Sequence, residues 1–274
     1  MKQFKLLISA LLIIAAATVS CGTESGGENS AGWELTWSDE FEGEAGTMPN
    51  PSRWTFDIGT GDNGWGNGEF QYYTDRPENV SLDGEGNLVI TASKELFSGS
   101  QYTSARIKTE GLFDQAYGRF EARIKTPFGR GIWPAFWMLG ADFSSVGWPQ
   151  TGEIDIMEFR GQGPTKIHGS LHGPGYSAGN AITDSFTLAD SRFDTEYHLF
   201  AVEWFEERID YYVDDIRYQS INRSDVSGEW VFDKPFFLIL NVAVGGTFVG
   251  PPSSQTPFPQ KMTVDYVRVY KRAQ

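Results

Sequence analysis

The sequence predicts an all-β protein, a sandwich of two curved antiparallel sheets, and three observations carry that prediction. Short segments alternate apolar and polar side chains, as residues 116–126 do, which is the period of a half-buried strand. The chain's 31 glycines and 13 prolines punctuate these segments at turn positions. No long amphipathic helical pattern, strand–helix–strand rhythm or internal repeat interrupts the series. At 274 residues the chain is long enough for one domain with a sizeable core.

In chain order, Leu7 to Ala17 is an apolar run behind Lys2 and Lys5. It is short for a membrane span and is read as an export signal over residues 1–20. Small residues then precede Cys21, the chain's single cysteine, as at a bacterial lipoprotein processing site. Cys21 is expected to carry a lipid, placing the protein in the cell envelope, on the outer membrane or cell surface. Without the lipid it would be secreted. Residues 21–32, rich in Gly, Ser and Glu, read as a flexible tether. Residues 33–271 are expected to form the folded domain.

Trp33 to Trp37 starts that domain as a strand, and Asp39 to Gly43 follows as an acidic turn. Gly59 to Thr74 reads as a glycine-rich loop holding Trp65 and Asn67 toward a ligand rather than a core. Asn79-Val80 and Asn87 to Ala92 pair as strands about the turn Asp83 to Gly86. Tyr102 to Lys108 alternates and carries Arg106. Ala116 to Thr126 places Tyr117, Arg119, Glu121, Arg123 and Lys125 on a wet face and Gly118, Phe120, Ala122 and Ile124 on a buried one. Gly131 to Gly140 sets Trp133 and Trp137 on one face, in the core or along a ring-lined cleft. Pro134 suggests a strand at an edge or with a local irregularity.

Glu153 to Phe159 packs three carboxylates into a short apolar strand. Glu153 and Asp155 share a face, whereas Glu158 would point away unless the strand bulges near Ile156-Met157. With the bulge all three acids line one face, and Ile154 and one of the two middle residues pack behind. Lys166 to His172 reads as the hairpin partner, with His168, Ser170 and His172 facing the acids. Their spacing is not that of a zinc protease or a calcium-binding EF-hand, so no metal or other cofactor is expected in catalysis. Residues 197–204 and 208–214 form a hairpin. Phe236 to Val244 is a buried strand whose one polar residue, Asn241, is either a satisfied core amide or a site residue. Met262 to Tyr270 closes the domain, alternating Val264, Tyr266, Arg268 and Tyr270 against Thr263, Asp265, Val267 and Val269.

The formal charge of −14 disfavours nucleic acid and anionic lipid as partners and suits a neutral ligand, with any membrane contact made through the lipid alone. Paired carboxyls are the apparatus of glycoside hydrolysis, which needs a proton donor and a nucleophile or base beside one bond. In retaining enzymes the two sit about 5–5.5 Å apart. Acids four positions apart on a flat strand would stand about 13 Å apart, so sheet curvature and long Glu side chains must close the gap. One Glu should be ionised and the other protonated near neutral pH.

On Gly152 to Phe159, Trp65 to Tyr73, Trp133 to Trp137 and Asn241 to Gly246, the chain resembles the family 16 glycoside hydrolases, in particular bacterial laminarinases. The resemblance spans about Trp33 to Tyr270. It implies a β-jelly-roll with a concave substrate cleft, and retaining endo-hydrolysis of β-1,3-glucosidic bonds in a neutral β-glucan by a monomeric enzyme. It makes Glu153 the nucleophile, Glu158 the acid/base and Asp155 their assistant. The extra Met157 matches the laminarinase form of the motif; lichenases of the shorter form lack it. Asn67, Arg106, Trp133, Trp137 and His172 are implied sugar contacts, and Trp65, Glu69 and Asn241 join them as candidates. A structural calcium is implied at Glu42, Gly84 and Asp265. Thr247-Phe248-Val249-Gly250 departs from the Asn-Trp-Pro-Gly of many relatives. The alternatives are mixed-linkage glucan or a galactan such as agarose as substrate, and a non-catalytic glucan-binding module.

Overall fold

The computed structural model describes residues 32–273. The signal, Cys21 and the tether up to residue 31 lie outside the described residues. The first strands are β1 (Trp33–Asp39), β2 (Thr55–Phe56), β3 (Gln71–Tyr73), β4 (Val80–Leu82), β5 (Leu88–Ala92) and β6 (Tyr102–Ser104). Next come β7 (Arg106–Lys108), β8 (Gly118–Lys125), β9 (Ile132–Gly140), β10 (Glu153–Phe159), β11 (Lys166–His172) and β12 (Ile182–Thr187). The last are β13 (His198–Phe205), β14 (Arg208–Val213), β15 (Ile216–Asn222), β16 (Phe236–Val244) and β17 (Gln260–Arg272).

Two antiparallel sheets hold nearly all of them. The eight-stranded sheet runs β15-β14-β13-β8-β17-β5-β4, with β1 also paired to β17. The seven-stranded sheet runs β12-β11-β10-β9-β16-β7-β2 and carries the acids. Between them lies one continuous core, with Phe120, Val202 and Trp204 from the first sheet against Phe136, Ile154, Phe159, Leu238 and Leu240 from the second. Each large apolar side chain buried this way contributes about 1.5–3 kcal/mol. All of β16 is buried, as befits an interior strand covered on both faces. Its outer face meets two separate small clusters, Leu139, Phe237 and Ile239 beside Trp137, and Trp133, Ala243 and Val249 beside Phe248.

Five expectations need correction. Residues 59–74 are not all loop: β3 pairs in parallel with β6, and Gln71 and Tyr73 are fully buried. Tyr102 to Lys108 is two strands, because β6 joins β3 while β7 joins β16. The outer face of β8 is not uniformly wet. Arg119 and Glu121 are buried there, while Tyr117 turns inward at φ +61° and packs on Trp204 with ring centroids 5.2 Å apart. Arg119 donates to Glu121 (2.7 Å), Glu203 (3.2 Å) and Asp215 (2.9 Å), so opposite charges let the cluster leave water. β9 is a central strand; Pro134 lies one residue beyond Ala135, the last residue that pairs with β10. Finally, β17 shifts register against β8 between Val264 and Tyr266, which lets Val264, Val267 and Val269 all face the core.

Candidate active site

The site grows from β10. Asp155 lies opposite Trp137 on β9, and the next pair is Met157 with Phe136. Toward β11, Asp155 opposes Ser170 and Glu158 opposes His168. Ile156 and Met157 together therefore face one residue on each side, which is a β-bulge. Glu153, Asp155 and Glu158 come to one face. Both middle residues, not one, pack into the core. The residue facing the bulge on β11 is Gly169. A Cβ there would stand 2.2 Å from the Tyr218 hydroxyl and 2.7 Å from the Tyr211 ring. Tyr211 in turn donates to the Ser170 carbonyl at 2.8 Å, tying β11 down from behind.

The acids are enclosed but not sealed. Asp155 is 4% exposed, whereas Glu153 and Glu158 keep partial access to solvent. Trp133 Nε1 donates to Glu158 Oε1 at 3.2 Å, and Ser170 Oγ to Glu158 Oε2 at 3.4 Å. His172 Nε2 lies 3.0 Å from Asp155 Oδ2 and 4.0 Å from Glu153 Oε1. The Nε2–Oδ2 contact is close but poorly aligned as a hydrogen bond, and no other donor satisfies Asp155 Oδ2. Glu153 and Asp155 each place a carboxylate oxygen within 4.8 Å of the other's, close enough that ionisation of one opposes ionisation of the other.

Burial and then repulsion by Asp155 push Glu153 up to about 8. Burial and then repulsion by Glu153 push Glu158 up to about 7, against the hydrogen bonds from Trp133 and Ser170, which favour its ionised form. Asp155 is raised well above its ordinary range by burial and by Glu158. Acids this close titrate as a group, so near neutrality the cluster holds protons that move among its members. Trp133 favours the ionised form of Glu158. Replacing Trp133 with Phe removes that donor and should move the alkaline limb of the rate profile to higher pH; an unmoved or lowered limb in a kcat/KM profile would contradict this.

Beside the acids, β9, β16 and β7 build a second polar group. Trp137 Nε1 donates to Asn241 Oδ1 at 2.7 Å, and Asn241 Nδ2 donates to the Tyr73 hydroxyl at 3.2 Å. Tyr73 donates to Glu69 Oε2 at 3.1 Å, as Gln71 does at 2.6 Å, and Asn67 reaches Glu69 Oε1 at 3.4 Å. Asn241 is thus both satisfied and on the site's face. Burial raises the Glu69 carboxyl, and its three donors oppose the rise. The Arg106 guanidinium stacks between two indoles, 4.6 Å from the centroid of Trp137 and 5.0 Å from that of Trp65, and pairs with Asp57 at 2.9 Å. Arg106 lies opposite Asn241 across the β7–β16 ladder.

All eleven catalytic and sugar-contact candidates therefore gather on this one face or on the loop that borders it. The sequence reading set Ser170 on the acids' face but did not single out Trp148. Ser170 follows from strand parity with His172. Trp148 is 41% exposed on the loop between β9 and β10, its ring 6.0 Å from that of His172. Phe248, where relatives often have Trp, still supplies a ring, 5.0 Å from Trp133 and under the Arg160 guanidinium. The calcium candidates fare differently. Asp265 pairs its carboxylate with Arg123, and Glu42 is exposed. One Asp265 carboxylate oxygen is thus paired with a guanidinium, and a calcium here would draw on its other oxygen and on backbone carbonyls.

The comparisons with known proteins agree with this geometry. Residues 67–268 match the model of the glycosyl hydrolases family 16. A beta-glucanase of Rhodothermus marinus is 43% identical over 251 residues, covering 87% of this chain and 85% of that protein. The laminarinase catalytic domain from Thermotoga maritima MSB8 superposes with a TM-score of 0.84 at 46% identity, over 89% of this chain and all of that one (100%). The endo-beta-1,3-glucanase from Pyrococcus furiosus gives 0.84 at 47% identity, over 88% of this chain and 95% of that one. A bulged strand that turns two glutamates and an aspartate to one face is here joined to a family match over most of the chain: the protein belongs to the glycosyl hydrolases of family 16 and is a glycoside hydrolase.

Proposed function

We propose that this protein hydrolyses β-1,3-glucosidic bonds within laminarin-like glucans, with retention of anomeric configuration. The observation that carries the mechanism is the bulge, which sets Glu153 and Glu158 on one face with Asp155 between them. Glu158, kept protonated near neutrality, gives its proton to the glycosidic oxygen as that bond breaks. Glu153 attacks the anomeric carbon and forms a glycosyl ester, its proton having passed to Asp155. Water then enters, Glu158 takes its proton, and the ester is released. Asp155 serves as the local proton store, which its burial beside Glu153 permits. Glycosidic oxygens are poor leaving groups, so the raised pKa of Glu158, which keeps its proton in place, matters most in the first step.

The substrate class rests on the site and the relatives together. Trp65, Trp133, Trp137 and Trp148 offer ring faces to sugar C–H surfaces, and Asn67, Asn241 and Arg106 offer polar partners to hydroxyls. Relatives named beta-glucanase and endo-1,3-beta-glucanase narrow the sugar to glucose and the linkage to β-1,3. A panel of laminarin, lichenan, agarose and carrageenan, read by product size over time, tests this. Fastest cleavage is expected on laminarin, with long oligosaccharides appearing first. Preferred cleavage of agarose or lichenan, or glucose as the first product, would overturn it.

For localisation, we read Cys21 as the lipidated first residue of the mature chain, on the small residues before it and the basic, apolar leader. Cys21→Ser should release the protein from the membrane fraction; unchanged membrane association would count against the reading.

A further inference from the structure

The imidazole of His172 has two nitrogens with different neighbours. The backbone N–H of Ala178 donates to Nδ1 at 3.1 Å. Ala178 holds an unusual φ of +50° at the start of a tight turn over Ala178–Asn180, the conformation in which its N–H meets the ring. A nitrogen that accepts a hydrogen bond carries no proton, so in neutral imidazole the proton must sit on Nε2. Nε2 faces Asp155 Oδ2 at 3.0 Å and Glu153 Oε1 at 4.0 Å. The ring of Trp148 lies 6.0 Å away.

We propose that the Ala178 amide is a positioning group that keeps Nδ1 of His172 bare and the ring proton on Nε2, so that the imidazole turns an N–H, and no lone pair, toward the Asp155–Glu153 pair and is not a metal ligand. The second half follows from the first. Glu153, Asp155 and His172 each present a ligand atom, all within 4.8 Å of one another, which is the spacing of a divalent-cation site. Binding a cation there requires a lone pair on Nε2. That tautomer would carry its proton on Nδ1, pointed at the Ala178 N–H, with two donors face to face. One backbone amide thereby keeps a ready-made trio of ligands for proton chemistry.

The tautomer bears on catalysis only if the glycosidase mechanism above holds, but it is measurable without turnover. The protein has three histidines, so nitrogen-15 correlation spectra of histidine-labelled protein near neutral pH resolve each ring, with His172→Gln identifying the missing one. The expected pattern for His172 is a protonated Nε2 and a bare Nδ1. It should stay unchanged on adding zinc chloride. A protonated Nδ1, a doubly protonated ring, or a zinc-induced shift of Nε2 would overturn the proposal. Activity gives an independent reading. The Gln amide reaches about where Nε2 lies, and the Asn amide about where Nδ1 lies. His172→Gln should therefore retain about tenfold or more kcat over His172→Asn. Equal loss in both variants, with the spectrum as expected, would sink the donor role.

Discussion

Glu153→Gln and Glu158→Gln are each expected to lower kcat on laminarin by about 10⁴-fold or more while leaving the fold intact. Each keeps size and hydrogen-bonding shape and removes only acid–base or nucleophilic capacity. Glu158→Ala and Glu153→Ala separate the two roles. With an activated aryl glucoside and added azide, the Glu158 variant should yield a glycosyl azide of retained configuration, and the Glu153 variant one of inverted configuration. The reverse outcome would exchange the roles. Substantial laminarin hydrolysis by either Gln variant would defeat the mechanism.

The same variants should become more stable at alkaline pH. Glu153 and Glu158 hold their protons up to about 8 and about 7 in the folded protein, against an ordinary 4.5. The folded state then binds more protons than the unfolded one between those values. The stability this contributes is fully present below about 4.5 and is lost as pH rises through 7 and 8. Wild type should therefore lose on the order of a few kcal/mol across that window, and the Gln variants should lose less. Thermal unfolding at pH 5 and pH 8 measures the difference. The acid cluster is thus held at the expense of the fold at alkaline pH.

A second large effect is expected far from the acids. Arg119→Met should destabilise the protein by about 3–5 kcal/mol, lowering Tm on the order of 10 °C, without changing kcat. The cost lies mainly with Glu121, which is 6% exposed and would lose its cation. The loss of Asp215 as a partner matters little because that carboxylate is largely in water. Adding Glu121→Gln to Arg119→Met should recover most of the stability. A Tm change of under about 2 °C in the single variant would show that the buried cluster is not held by its charges.

These cases show what a one-dimensional pattern carries. The bulge in β10 was legible because three acids with mismatched spacing would otherwise lie on both faces, and only one of those faces can hold charge. The bulge in β17 was not, because Asp265 and Tyr266 are both tolerable at a sheet surface and leave no conflict to notice. Arg119 and Glu121 read as wet because alternation reports polarity, and burial of paired charges looks the same as exposure of single ones. The β3–β6 pair hid in a glycine-rich stretch, where Gln71 and Tyr73 serve the site from behind. Trp65 is legible because a ring on a glycine-rich loop has no core face to enter, whereas Trp133 and Trp137 stay open between core and cleft until the family resemblance implies sugar contacts for them. Ala178 had no such signal, since its contribution is a backbone amide that any residue but proline would supply.

The bulge at Ile156-Met157 also bears on how this strand tolerates change. In an ordinary strand the loss of one residue inverts every later side chain, exchanging inside for outside. Here the extra residue is already out of step with both neighbours. Removing it would leave Asp155, Ile156 and Glu158 in strict alternation, with Glu158 still opposite Ala135 and Phe159 still behind. The acids would keep their face, and the loss would fall on the core, which would give up one buried methionine. Spacings of four or five residues between the glutamates are thus two frames of the same message, and the strand can pass from one to the other by a single deletion.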